Sequence, residues 1–237
     1  MIVSIAQPTY LPWLGYFDLI ARADVFVFLD TVQFEKQSWQ SRNRLKGSDN
    51  MPFWLSVPIA THPLATPICE IQIAPNKSQW SRKHLQSLQT VLAKMPFFDD
   101  TMAILEPVLL EKHTHLSELN ISLITGAARN LGLTTRFVRA SEMSVAGNKT
   151  DLILAILERL QATHYRCNAG SRAYMEDERP RFESAEISWE YQLWETPSQL
   201  QDSIETTGHL AFPDAFSCLG LDNLSQYLLS TKSHGPL

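Results

Sequence analysis

The stretch MIVSIAQPTYLPWLGYFDLIARADVFVFLD, residues 1–30, decides the fold. Residues 2–6 are apolar and rich in β-branched side chains, the composition of a strand. Pro8 and Pro12 then break the chain into a loop, because proline fixes φ and carries no backbone donor. Residues 14–21 can make about two helical turns, ending near Ala23 and Asp24. Residues 25–29 are all apolar, and so short and uniform a run reads as a central strand buried on both faces. Two such strands joined by a helix predict a right-handed parallel β-α-β unit.

Further along, Pro52, Pro58, Pro63, Pro67 and Pro75 interrupt residues 53–57 and 68–73, which are strand-like. Proline keeps such segments at a sheet edge or in a hairpin. Asn76 or Ser78 can cap a helix that runs to about Met95, where Pro96-Phe97-Phe98 ends it. Helices near residues 101–111 and 116–130 follow, so residues 76–130 form a helical part. Residues 134–139, 149–161 and 163–167 repeat the strand-helix-strand order. The middle segment carries Leu152, Ile153, Ile156, Leu157 and Leu160 on one stripe. Residues 187–193 alternate weakly, and residues 219–229 look like a closing helix. The expectation is one α/β domain over residues 1–237, a mostly parallel sheet flanked by helices.

Composition excludes several classes. Apolar residues make up 44% and charged residues 19%, ordinary globular usage. A net charge of −5 gives no pull toward nucleic acid or anionic membrane, and the basic run is short. No apolar run reaches the roughly 18–20 residues of a membrane-spanning helix. The first strand is too short for a signal-peptide core and has no basic leader, so a cytoplasmic location is expected. Cys69, Cys167 and Cys218 are far apart and odd in number, which argues against a disulfide framework or a zinc site. His113 and His115 are two apart and would not share a helix face, so no metal pair is expected there. Nothing in the chain identifies a cofactor.

Polar residues gather in residues 7–44. Gln7, Thr9, Tyr10 and Trp13 lie in the proline-stiffened loop after the first strand, where parallel sheets bind ligands. The loop reads equally as a rigid packed turn. Asp30 ends the second strand and is either a site carboxylate or a structural cap. Gln33 follows it, and then Trp39, Gln40, Arg42, Asn43 and Arg44 fall within six residues. Arginine suits bidentate capture of phosphate or carboxylate, and tryptophan suits stacking on a ring. A solvated surface turn is the plainer reading of that run. Trp80, Lys83 and His84 share a helix face that either closes the site or faces solvent. The chain has no serine-hydrolase elbow, phosphate-loop or dinucleotide fingerprint.

These residues resemble the WbqC-like family. The likeness runs through Gln7-Pro8-x-Tyr10-Leu11-Pro12-Trp13-x-Gly15-Tyr16-Phe17, then Ala23-Asp24-Val25-x-Val27-x-Leu29-Asp30-x-Val32-Gln33-Phe34 and Ser38-Trp39-Gln40-x-Arg42-Asn43-Arg44. It continues at Trp54-Leu55-x-Val57-Pro58, Trp80, Lys83-His84 and Leu119-Asn120. Ala6 stands where the family has histidine before Gln-Pro, Gly220 stands where it has an acid, which is either missing or displaced to Asp222, and residues 168–171 are poorer in glycine. If those positions meet substrate, specificity or activity is altered. A fainter likeness links Pro8-Thr9, Gly15 and Gln33-Phe34 to the pantothenate-synthetase and nucleotidylyltransferase class. That class has histidines at the places of Trp13 and Tyr16, so a nucleotidylyltransferase-like β-α-β unit is implied without the same chemistry.

The resemblance implies a role near surface-polysaccharide (O-antigen type) biosynthesis. The expectation is a transferase that takes a nucleotide-sugar or activated acyl donor, with a ligand-binding or scaffold protein as the alternative. Arg42 and Arg44 would hold phosphate or carboxylate, and Gln7, Gln33, Gln40 and Asn43 would orient polar groups. Trp13 and Trp39 would stack on a ring, with Tyr10 and Lys83 nearby. Asp30 is the candidate general base and His84 the second choice.

Overall fold

In a computed structural model, which describes residues 1–47, 51–201 and 210–230, the first 30 residues fold as their sequence predicts. Ile2–Ala6 form β1, Leu14–Ala21 form α1 and Val25–Phe28 form β2, all four β2 residues being buried. Arg42–Lys46 (β3) and Pro52–Ser56 (β4) make a separate antiparallel hairpin. Three helices follow, Trp80–Leu92 (α2), Phe98–Leu110 (α3) and Leu116–Asn130 (α4). The main sheet resumes with Arg136–Arg139 (β5), Thr150–Arg159 (α5) and His164–Cys167 (β6). Short helices Arg172–Met175 (α6) and Arg179–Ser184 (α7) lead to Ser188–Tyr191 (β7). Phe212–Leu219 (α8) and Leu221–Ser230 (α9) end the described chain.

The sheet has the order β5-β2-β1-β6-β7, and every pairing is parallel. Strand residues alternate between its two faces. Val3, Ile5, Val25, Val27, Tyr165 and Cys167 pack on the α5 and α7 side. Phe26 and Phe28 point the other way, into a second core with α1 and α2–α4, and Phe28 stacks on Phe137 at 5.6 Å. Each such aromatic withdrawn from water stabilises the fold by about 1.5–3 kcal/mol. The crossover from β1 to β2 uses one face and that from β5 to β6 the other, while they run in opposite directions along the sheet. The two crossovers therefore have the same hand, as twisted parallel strands require.

Several local readings change. Residues 42–46 are a strand rather than a surface turn, because Asn43 and Leu45 alternate inward against Arg42 and Arg44. Ile68–Glu70 is a single 3-10 turn after Pro67, and Ile73 and Gln72 make only lone bridges to Ile59 and His115. Pro75–Lys77 is likewise a 3-10 turn, so α2 starts at Trp80 without a side-chain cap from Asn76 or Ser78. The closing helix forms as α9, and a further helix, α8, precedes it across Gly220, whose φ is +78° and where a Cβ would sit 2.8 Å from the Phe97 ring. Among the described residues, no helix is long and apolar enough to cross a membrane.

Candidate binding cleft

Strand order reverses between β1 and β6, and in doubly wound sheets that reversal opens a crevice beyond the strands' carboxyl ends. A cleft of about 1160 Å³ lies there. Its mouth is walled by Gln7, Thr9 and Trp13 from the β1–α1 loop and by Trp39, Asn43 and Arg44 around β3. Its inner part is bounded by Asp18 and Arg22 of α1 and by Arg166, Glu190 and Gln192 at β6 and β7.

The mouth loop is held by amides. Asn43 Nδ2 donates to the carbonyls of Tyr10 (3.2 Å) and Leu11 (2.6 Å). Asn120 of α4, fully buried, donates to the carbonyls of Pro8 (3.0 Å) and Gln40 (2.8 Å). Gln40 Nε2 donates to Gln7 Oε1 at 2.9 Å, and the Tyr16 hydroxyl donates to the Gln7 carbonyl at 2.9 Å. These bonds hold Leu11 at a φ of +46°, a conformation that costs free energy in a residue with a side chain.

Beside the loop, the period of β3 places Arg42 and Arg44 on one face of the hairpin. The Arg42 guanidinium lies 4.4 Å from the Trp54 ring, and that of Arg44 lies 5.5 Å from Trp39 and 6.0 Å from Trp54. Trp39 and Trp54 are themselves 5.4 Å apart and remain 47% and 44% exposed. Large aromatics so exposed and so interleaved with cations offer ring faces and positive charge together.

The inner trench is built from charge pairs. Ser4, Arg166 and Glu190 stand in register across β1, β6 and β7 on the same face. Arg166 pairs with Glu190, and His164 is 3.7 Å from the same carboxylate. Burial pulls the Arg166 pKa down, and Glu190 opposes that shift. On the facing wall Arg22 Nε donates to Asp18 at 2.5 Å. Gln192 Nε2 ties α1 to the end of β7, donating to the Gly15 carbonyl (2.6 Å) and to Asp18 (2.7 Å).

The residues expected in a site separate into two groups. Gln7, Trp13, Trp39, Asn43 and Arg44 line the cleft. Tyr10, Gln40 and Arg42 are outside the lining: Tyr10 bonds His84, Gln40 bonds Gln7 and the Glu35 N–H, and Arg42 packs on Trp54. Asp30 is buried at the end of β2 and accepts from the backbone N–H (2.9 Å) and hydroxyl (2.7 Å) of Ser141, so it holds the 140–142 turn rather than facing the arginines. His84 is buried between Tyr10 and Trp80, 2.8 Å from the Tyr10 hydroxyl. Burial lowers its pKa to about 4, and its ring also bonds the Ser56 backbone. The imidazole is therefore neutral at pH 7, with the Tyr10 hydroxyl donating to Nδ1. Gln33 and Lys83 are exposed and lie outside the cleft lining. Asp18, Arg22, Arg166, Glu190 and Gln192 carry no motif that marks them in the sequence. Their one signal was arginine inside a strand destined for the middle of a parallel sheet, where an unpaired charge is costly.

Among the described residues, no group of three or more His, Cys, Asp or Glu side chains is placed to hold a metal ion. Fold and cleft define a doubly wound α/β protein with a polar, aromatic-rimmed crevice at its switch point. The chain belongs to the WbqC-like protein family, whose sequence model matches residues 7–223. It is 33% identical over 190 residues to uncharacterized protein Rv1507c of Mycobacterium tuberculosis, a match covering 79% of this chain and 80% of the relative. No solved structure matches significantly.

Proposed function

We propose that the cleft binds a phosphate-bearing donor, a nucleotide-sugar or an activated acyl compound, and that the protein is a transferase of surface-polysaccharide or related sugar-conjugate synthesis. The observation that carries this reading is Arg44 stacked with Trp39 on the cleft wall just beyond β1. A guanidinium there can take phosphate oxygens by paired hydrogen bonds while the indole takes a ring face. Gln7, oriented by Gln40, adds a polar group beside them, and Asn43 fixes the loop that carries it.

A second reading has its own support. Asp30 and His84, the residues whose chemistry suited proton transfer, are engaged as scaffold, and the trench carboxylates Asp18 and Glu190 are paired with arginines. A protein that binds the same donor without turning it over accounts for that.

Thermal-shift and calorimetric titration against nucleotides, nucleotide-sugars and acyl-coenzyme A compounds tests the site. Ligands of one class raise the melting temperature by mass action. Arg44→Ala weakens that binding at least tenfold, whereas Arg42→Ala, outside the lining, weakens it less. Equal loss in both variants, or no shift from any class, refutes the assignment. Product formation by the ligand-saturated protein with added acceptors separates transferase from binder.

A further inference from the structure

The inner trench differs in chemistry from the mouth. Its walls are planar polar groups already paired with one another, Arg166 with Glu190 and Arg22 with Asp18, with Gln192 linking the two sides. Asp18 and Arg22 both act electrostatically on Arg166, so the four charges form one cluster. Within the trench Arg22 and Arg166 balance Asp18 and Glu190, and Arg44 and Glu195 complete an equal count of each sign over the whole lining. Arg166 Nε and the neighbouring Ser4 hydroxyl are buried without a hydrogen-bond partner, so the chain alone does not complete the cluster. Aromatic rings close the trench: Trp194 meets Trp13 edge-on at 5.7 Å and Tyr227 at 6.0 Å.

We propose that this trench takes a neutral, hydroxyl-rich ring, the sugar of a glycosyl donor, and neither an acyl chain nor a charged sugar; this rests on the reading that the mouth takes the donor's phosphates. Each sugar hydroxyl donates and accepts at once, so it can bridge a carboxylate and a guanidinium without separating them. A carboxylate or ammonium on the ligand would find no surplus opposite charge and would be desolvated for nothing. An acyl chain would strip water from both ion pairs and return no hydrogen bond. The indole and phenol faces suit the apolar face of a pyranose.

The six tryptophan indoles report the two regions separately in ¹H–¹⁵N spectra, once assigned by single Trp→Phe variants. Trp194 reports the trench, and Trp39 and Trp54 report the mouth. The titrants are uridine, guanosine and thymidine diphosphates, their neutral hexose and hexuronate conjugates, acetyl- and butyryl-coenzyme A, and methyl hexosides at millimolar concentration. The diphosphate alone is expected to move Trp39 and Trp54. Its hexose conjugate should also move Trp194 and bind at least tenfold tighter, and the hexuronate should lose that gain. Glu190→Gln should abolish the hexose gain without weakening diphosphate binding, since Arg166 is left with its positive charge unbalanced; if that variant does not fold, the wild-type series decides alone. A hexose conjugate no tighter than the diphosphate, with Trp194 unmoved, overturns the trench and leaves the mouth standing. A hexuronate or acyl-coenzyme A that binds at Trp194 as well as the hexose also overturns it. Methyl hexosides moving Trp194 when no nucleotide binds would uphold the trench and sink the mouth. Silence from every titrant overturns both.

Discussion

Replacing Asn120 by aspartate keeps the side chain's size and shape and exchanges one NH₂ group for oxygen. In the native protein that NH₂ donates to the carbonyls of Pro8 and Gln40, and the residue is fully buried. Once ionised, the variant leaves both carbonyls unsatisfied in a dry site. At roughly 1–3 kcal/mol for each, the loss is about 2–6 kcal/mol. For a chain of this length each kcal/mol moves the melting temperature by roughly 2–4 °C, so a fall of about 5–20 °C is expected. The new carboxyl, buried and facing acceptors, has its folded pKa raised above the unfolded value of about 4. Its contribution is therefore most favourable below that unfolded value and is lost as pH rises through the folded one. The deficit against wild type widens from pH 5 to pH 8. Scanning calorimetry at both pH values measures it. A variant within about 2 °C of wild type at pH 8, or a deficit that shrinks with rising pH, would refute the claim that Asn120 holds the loop through its donors.

Gly220→Ala puts a Cβ 2.8 Å from the Phe97 ring at a φ of +78°. Urea unfolding should show a loss of about 2–4 kcal/mol, and an unchanged midpoint would contradict the strained connection between α8 and α9. Asp214 of α8 is buried, with one carboxylate oxygen accepting from the Lys46 backbone N–H at 3.2 Å and the other without a partner. Burial pushes its pKa up to about 7. With the folded value raised, its stabilisation is complete below about pH 4 and is lost as pH rises through about 7. Asp214→Asn removes that slope, so melting curves of variant and wild type that stay parallel from pH 5 to 8 would rule it out.

What the sequence reveals follows the range of the forces. The β1-α1-β2 unit is legible because proline, the five-residue apolar run and the helix period act within about 30 residues. The β3 strand is harder, since Arg42 and Arg44 look like surface charge until Trp39 and Trp54 are seen packed against them. Residues 68–73 are rich in isoleucine, as strands are, yet fold as a turn because Pro67 and neighbouring bridges hold them there. For the cleft, the rule that ligands lie beyond a parallel strand's end points to Gln7 and Trp13, whereas Trp39, Asn43 and Arg44 stand out only by residue type; all five line it. Arg166 and Glu190 are 24 residues apart and meet only through the register of β6 with β7. Asp30 and His84 carry the right functional groups, but composition does not show that Ser141 and Tyr10 already occupy them.

The amide-pinned loop also sets the direction in which hydrogen bonds can run. The backbone oxygens of Gln7, Pro8, Tyr10, Leu11 and Pro12 each receive a bond from within the chain, that of Pro12 from the Phe212 N–H at 2.8 Å. A visiting molecule that offers mainly N–H groups finds those acceptors engaged, while one that offers oxygens meets the Arg44 guanidinium beside them. Polyamines and guanidines are thereby handicapped at this wall before shape is considered, and oxyanions have the advantage.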